Sequence, residues 1–323
     1  MAVNSELSLR IANGQVVILD GGVSTELQRR GVPVDPVAWF GRANFEHADV
    51  VQALHEDYIR AGAQVIIANT HSTSRAALEP AGLGDKVADA NRLAVAAALR
   101  ARDAAATGPV AVAGSISSFI PAAMGSDDHT DLRGERAFGE QATILADSGV
   151  DLIALEMMDS TCYGMAAIEA ASDTGLPVWL GMSPIRFPSG RLGMYSADAP
   201  CIVPTAESQD ADSFEKLVEA YARSGARLDA VILMHVKLDV IRDALGIVRS
   251  YFPGLPLGIY AEVGEWQAPN WVFDEQVSPA AYLKEALGWA EAGVQLIGSC
   301  CGTGPDYIRA LAEGLPDRPG GQA

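Results

Sequence analysis

The chain has 323 residues, enough for two average domains or for one α/β barrel. Hydrophobic residues make up 49% of it, and 41 acids against 23 bases leave a net charge of -18. With no basic cluster to offset that charge, binding of nucleic acid or of an anionic membrane by bulk electrostatics is excluded. No stretch approaches the ~18 to 20 continuous apolar residues of a membrane span, and the start, MAVNSELSLR, is too polar for a signal peptide. The cysteines are Cys162, Cys201, Cys300 and Cys301; so few thiols suit a reducing, cytoplasmic compartment.

Eight short runs rich in valine and isoleucine recur in order. They are QVVILDGG (15–22), QVIIANTH (64–71), PVAVAGSI (109–116), VDLIALEM (150–157), PVWLGMS (177–183), LDAVILMHV (228–236), PLGIYAEV (256–263) and VQLIGSCCG (294–302). They are apolar throughout instead of alternating, as strands of a buried parallel sheet are. Between them lie amphipathic helices. In HADVVQALHEDYIRAGA, Val50, Val51, Leu54, Tyr58 and Ile59 recur at helical spacing, and Gly62 closes the helix. The pattern repeats in DKVADANRLAVAAALRARDAAA, SFEKLVEAYARSGA and PAAYLKEALGWAEAGV, and several helices end in AG or SG just before the next strand.

Eight βα units with no second composition predict a single-domain (β/α)8 TIM barrel, with a core over about 15–315 and a disordered tail over 316–323. A doubly wound open sheet is the other candidate, but no dinucleotide fingerprint accompanies it. The connection 184–213 is far longer than usual and is expected to be a functional loop over the barrel mouth.

Barrel enzymes work at the C-terminal ends of their strands. Those ends carry Asp20, Asn69 with Thr70 and His71, Ser115, Glu156, Ser183, His235, Tyr260 with Glu262, and Cys300 with Cys301. The adjacent cysteines are open to several readings: a strained disulfide, buried small residues, a redox pair or two ligands of a soft metal. With His235 they make three protein ligands and leave a fourth tetrahedral position open, as a catalytic zinc site requires. His71 is a competing nitrogen donor. Asp20 and Glu156 can be general acids or bases, can hold a substrate ammonium, or can accept backbone N–H groups. His55, inside a helix among apolar neighbours, reads as a packing residue.

Taken together, ILDGGVSTELQRRG (18–31), LHEDYIRAGAQVIIANTH (54–71), VAGSI (112–116), DLIALEMM (151–158) and IGSCCGTGPDYIRAL (297–311) resemble the homocysteine S-methyltransferases, over about residues 15 to 315. That family comprises the S-methylmethionine- and betaine-dependent enzymes and the homocysteine domain of methionine synthase. The resemblance implies a (β/α)8 barrel holding Zn2+ that binds the homocysteine thiol as a thiolate, with no catalytic group beyond that metal-activated thiol. GSCCGT matches the family's GGCCGT-like motif and so implies Cys300 and Cys301 as ligands. The third family ligand is a cysteine at the end of strand six in a GxNC motif; here ILMHV puts His235 in its place and loses the asparagine. One fewer negative ligand implies a more electrophilic metal and a less nucleophilic bound thiolate.

The resemblance further implies that Asp20 and Glu156 hold the homocysteine amine, and that Trp39 faces a cationic methyl donor, a role suited to an aromatic ring. Asn69 and Ser115 join them as substrate-binding candidates from their strand-end positions. The PN usual after strand seven is replaced by Ala261-Glu262. In the extended loop, Arg186 or Arg191 is placed to meet a donor carboxylate. The expected partners are a small-molecule thiol acceptor and a cationic methyl donor, with no nucleic acid and no membrane; homo-oligomer formation is left open. A zinc hydrolase or lyase on the same scaffold, with Glu156 or Glu262 as base, is the alternative.

Overall fold

A computed structural model of the chain describes residues 3–118, 135–194, 213–267, 270–272 and 277–318. Eight parallel strands form one sheet: β1 (Val17–Ile18), β2 (Val65–Ile67), β3 (Ala111–Ser117), β4 (Leu152–Glu156), β5 (Val178–Met182), β6 (Ala230–Val236), β7 (Leu257–Ala261) and β8 (Leu296–Ser299). Their spatial order is β1-β8-β7-β6-β5-β4-β3-β2. The ring closes between β1 and β2 through a parallel bridge of Leu19 with Val65, with Gln64 N–H donating to Ile18 O (2.7 Å) and Asp20 N–H to Val65 O (3.0 Å). This is the (β/α)8 barrel expected from the eight apolar runs.

Alternation along the strands divides the core in two. Val17, Leu19, Val65, Ile67, Ala113, Leu152, Ala154, Trp179, Ile232, Met234, Tyr260 and Leu296 pack on one another inside the barrel. The residues between them, among them Ile18, Ile66, Val112, Ile153, Leu180, Leu233 and Ile297, pack outward against the helices. Helices such as Ala48–Ala61, Val87–Ala105 and Leu238–Tyr251 bury one stripe each against that outer layer. Gly62 ends the first of these at φ 112°, the left-handed cap expected of a glycine there.

Three features were not anticipated. The polar N-terminus folds as a helix, Val3–Ala12, whose Leu7 and Ile11 pack on the interior cluster. Gln295 Nε2, just before β8, donates to Ile11 O (2.9 Å), so this helix lies across the end of the barrel where the strands begin. Two small antiparallel hairpins, Pro184–Arg186 with Leu192–Met194 and Glu265–Gln267 with Asn270–Val272, follow β5 and β7. The extended connection 184–213 is described only at its ends, because 195–212 lie outside the described residues, as do 319–323 of the tail. Among the described residues no helix is long and apolar enough to cross a membrane.

Candidate metal centre

The loop after β8 is held from three sides. Cys300 N–H extends the ladder to Ala261 O (2.7 Å), while Cys301 O accepts both Val263 N–H and Gly264 N–H at 2.9 Å. Thr303 Oγ1 donates to Cys300 O (2.5 Å) and accepts from Gly22 N–H (3.4 Å). Gly302 has φ 88°, and a Cβ there would stand 2.2 Å from Gly264 N, so only glycine lets the two loops touch. The two thiols are free, their sulfurs 3.6 Å apart, well beyond a disulfide bond.

His235 reaches them through an irregularity in β6. Met234 pairs with Tyr260 and Val236 with Ala261, so His235 is an extra residue with no partner of its own. Val231, Leu233 and Val236 face the helices, while Ala230, Ile232 and Met234 face the barrel interior. Strict alternation would send the residue after Met234 outward. The bulge, with His235 at φ 49°, turns it to the barrel mouth instead. There its Nδ1 lies 3.2 Å from Cys300 Sγ and its Nε2 lies 2.8 Å from Glu156 Oε2.

Glu156 ends β4, and the same oxygen lies 3.3 Å from His71 Nδ1. The ligand atoms of His235, Cys300 and Cys301 all fall within 4.8 Å of one another, as do those of His71, Glu156 and His235. Burial opposes ionisation of Glu156, but its hydrogen bond to His235 and the close His71 imidazole prevail and hold it well below the usual carboxylate range. Burial likewise opposes protonation of His235, and Cys301 and Glu156 overcome it, raising its pKa. Between the thiols, burial pushes Cys300 up, while the hydrogen bond from Cys300 draws Cys301 down to about 7.

The remaining expected residues take varied places. Asp20 is fully buried: its Oδ2 accepts Ile67 N–H and its Oδ1 lies 2.8 Å from the Tyr260 hydroxyl. That hydroxyl is also 2.8 Å from Gly21 O, which can only accept. One phenolic hydrogen cannot serve both. Both contacts are satisfied when Asp20 is protonated and donates to Tyr260, and burial pushes its pKa up to about 8. Asn69 donates from Nδ2 to Phe40 O (3.0 Å) and Asn44 Oδ1 (2.9 Å), which ties the Trp39–Phe40 segment to the end of β2. Trp39 itself is buried and held at φ 53° by two backbone hydrogen bonds with Asp35.

Ser115 pairs with Ala154, one layer beneath the Ser117–Glu156 pair, and its hydroxyl has no partner among the described residues. Arg186 binds Asp239 O and Asp243 Oδ2, both at 2.9 Å, and Arg191 lies over the Phe187 ring. His55 is wholly buried in its helix with neither ring nitrogen bonded among the described residues, and burial lowers its pKa to about 4, as for a neutral packing histidine.

Two residues near the cysteine loop were missed. Lys237 contacts Glu262 Oε1 (3.1 Å) and donates to Gly264 O (2.5 Å); its signal was a lysine two places after His235. Trp271 packs against the interior cluster that includes both cysteines, and an aromatic in a non-periodic segment left no signal for that.

The donor set can be tested against a tetrahedral thiophilic ion. Bond lengths of about 2.3 Å to sulfur and 2.0 Å to nitrogen put ligand atoms ~3.8 Å apart for two sulfurs and ~3.5 Å for sulfur and nitrogen. The observed 3.6 Å and 3.2 Å lie within a few tenths of those spacings. The residues fit such an ion with one position to spare.

Residues 17–315 match the family model described as Homocysteine S-methyltransferase. The chain is 25% identical to Homocysteine S-methyltransferase 3 of Arabidopsis thaliana, with 95% of this chain and 91% of that protein aligned. It is 28% identical to Betaine–homocysteine S-methyltransferase 1 of Rattus norvegicus, over 96% of this chain and 74% of the rat protein. The metallated form of the homocysteine methyltransferase MmuM from Escherichia coli superposes with a TM-score of 0.67 at 24% identity, covering 94% of this chain and 97% of that one.

Proposed function

The chain belongs to the homocysteine S-methyltransferase family, and from that premise we propose that it transfers a methyl group from a sulfonium or quaternary ammonium donor to a thiol of the homocysteine class. Cys300, Cys301 and His235 would hold the zinc ion of that reaction. The observation that carries this reading is the convergence of their three ligand atoms at the mouth of the barrel. When bound, zinc supplies a Lewis acid that lowers the pKa of an acceptor thiol, so that a thiolate is available at neutral pH.

The protein's own groups do the positioning. With the ion bound, the two cysteines would bring two negative charges and His235 none, and a position would remain for the acceptor sulfur. Glu156 is the ionised carboxylate beside that position. Its Oε1 carries no hydrogen bond to a described residue, so it can take the acceptor's ammonium. Asp20, protonated and with both oxygens engaged, supports Tyr260 and β2 and offers an ammonium no charge. Trp39, fixed beside the end of β2 through Asn69, is the aromatic assigned to the cationic donor. Positive charge leaves the donor as the methyl moves, so an apolar aromatic wall and in-line alignment serve the step without an acid catalyst.

Metal analysis with a transfer assay tests the reading. The purified protein should carry roughly one zinc per chain, and Cys300→Ser should lose most of it together with a 100-fold or greater fall in methyl transfer to homocysteine, on the order expected when a metal ligand is removed. S-methylmethionine and glycine betaine serve as the two donor classes. A zinc-free wild type that is fully active, or a Cys300→Ser protein that keeps metal and rate, would reject it.

A further inference from the structure

We propose that Glu156 is a positioning residue for the metal centre, and that its Oε2 orients the His235 ring so that the Nδ1 lone pair points to the place an ion would take between it and the two sulfurs. This rests on the zinc-site reading above and adds to Glu156 a task separate from any contact with the acceptor.

The imidazole has two nitrogens on different edges of one ring, so fixing one aims the other. Nε2 sits 2.8 Å from Glu156 Oε2, and Nδ1 sits 3.2 Å from Cys300 Sγ. In the neutral ring, donation of Nε2–H to the carboxylate leaves Nδ1 as the unprotonated nitrogen, facing the place an ion would take between it and the sulfurs. That is the carboxylate–histidine–metal arrangement in which the outer carboxylate fixes both tautomer and ring orientation.

Local backbone structure makes such a brace necessary. As the extra residue of a bulge, His235 has no cross-strand neighbour to fix its side chain, and its φ of 49° is an unfavourable conformation for a residue with a Cβ. Such a conformation persists only where surrounding contacts determine it.

Glu156 is suited to that work because it is itself pinned. Its side chain is 6% exposed, and the His71 ring reaches the same Oε2 at 3.3 Å, with the His71 and His235 ring centroids 5.5 Å apart. Its backbone is tied as well: Ser118 N–H donates to Glu156 O (3.3 Å), and Ser118 Oγ donates to the carbonyl of Met157, which has φ 57°. The carboxylate is therefore placed from β4 and β2 before any substrate arrives. A group serving only as an ammonium clamp would need neither imidazole on the oxygen it uses.

The test reads metal affinity with neither acceptor nor donor present. Metal-stripped wild type, Glu156→Ala and Glu156→Gln are titrated with Zn2+ against a chromophoric chelator and with Co2+ by absorption. Glu156→Ala should weaken metal binding about 10- to 100-fold and shift the cobalt d–d bands while keeping the sulfur-to-cobalt charge-transfer band. Glu156→Gln keeps an oxygen that can accept Nε2–H, so it should lose roughly 3- to 10-fold. It is close to isosteric and decides the matter if the alanine variant does not fold.

Wild-type metal affinity and cobalt spectra in the variants, with only the KM for the acceptor raised, would overturn the proposal and make Glu156 an acceptor clamp alone. Two metal ions in wild type falling to one in Glu156→Ala would also overturn it, since Glu156 would then be a ligand in its own right beside His71. A wild type that binds no metal would reject the zinc site and this inference together, a result distinguishable from both.

Discussion

Asp20 shows how much one proton changes the reading of a side chain. As an anion it would be a ready counter-ion for an amino group; as a neutral acid it is a strut joining β1, β2 and β7. Its pKa rises from an ordinary 3.8 to about 8 because burial disfavours the charge. A group whose folded pKa is raised adds stability that is complete below the unfolded value and is lost as pH climbs through the folded one. Stability should therefore fall between about pH 4 and pH 8 and level off above that. An asparagine in its place would offer the same shape, an amide N–H for Tyr260 and an oxygen for Ile67 N–H, without a titrating group. Denaturant midpoints measured from about pH 5 to 9 should fall distinctly less for Asp20→Asn than for wild type; parallel profiles would mean that Asp20 is charged in the fold. The identity of Asp20 as a strand-end carboxylate was legible in the sequence. Its protonation was not, because that depends on full burial inside a barrel whose walls come from distant parts of the chain.

At the scale of elements, the strands were legible because burial on both faces leaves continuous apolar runs. The bulge in β6 was not, since an inserted residue leaves no mark in a run that does not alternate. His235 could be placed at a strand end from sequence, but alternation would have aimed it at the helices. The hairpin of Glu265–Gln267 with Asn270–Val272 was likewise hidden, though Gly264 beside it and Gly302 across from it are what allow the two loops to meet. Gly302→Ala should cost at least about 1 to 2 kcal/mol, from the left-handed backbone alone, before the contact with Gly264 is counted. Because Cys301 O anchors both Val263 and Gly264, zinc content should fall along with the melting temperature. Retention of full zinc in a destabilised Gly302→Ala protein would separate the loop contact from the metal centre.

For the whole molecule, the two ends of the barrel do different work. The helix Val3–Ala12 seals the end where strands begin, and the i, i+4 pair Leu7 and Ile11 was its one sequence signal, overlooked beside its polar neighbours. Leu7→Ala should lower unfolding stability by roughly 2 to 4 kcal/mol by opening a cavity. Methyl transfer measured well below the melting temperature should stay within about twofold of wild type, because the change lies at the face that bears stability and not chemistry. A large loss of activity in a folded Leu7→Ala protein would show that the ends are coupled. The strand order has a consequence for how the molecule is made. A ribosome delivers β1 first and β8 last, and β8 both pairs with β1 and leads directly into Cys300 and Cys301, two of the three residues proposed to hold the ion. Closing the ring and bringing the proposed ligands together are thus a single late event, so a nascent or truncated chain that lacks β8 and the two cysteines after it can neither finish the barrel nor assemble the proposed metal centre.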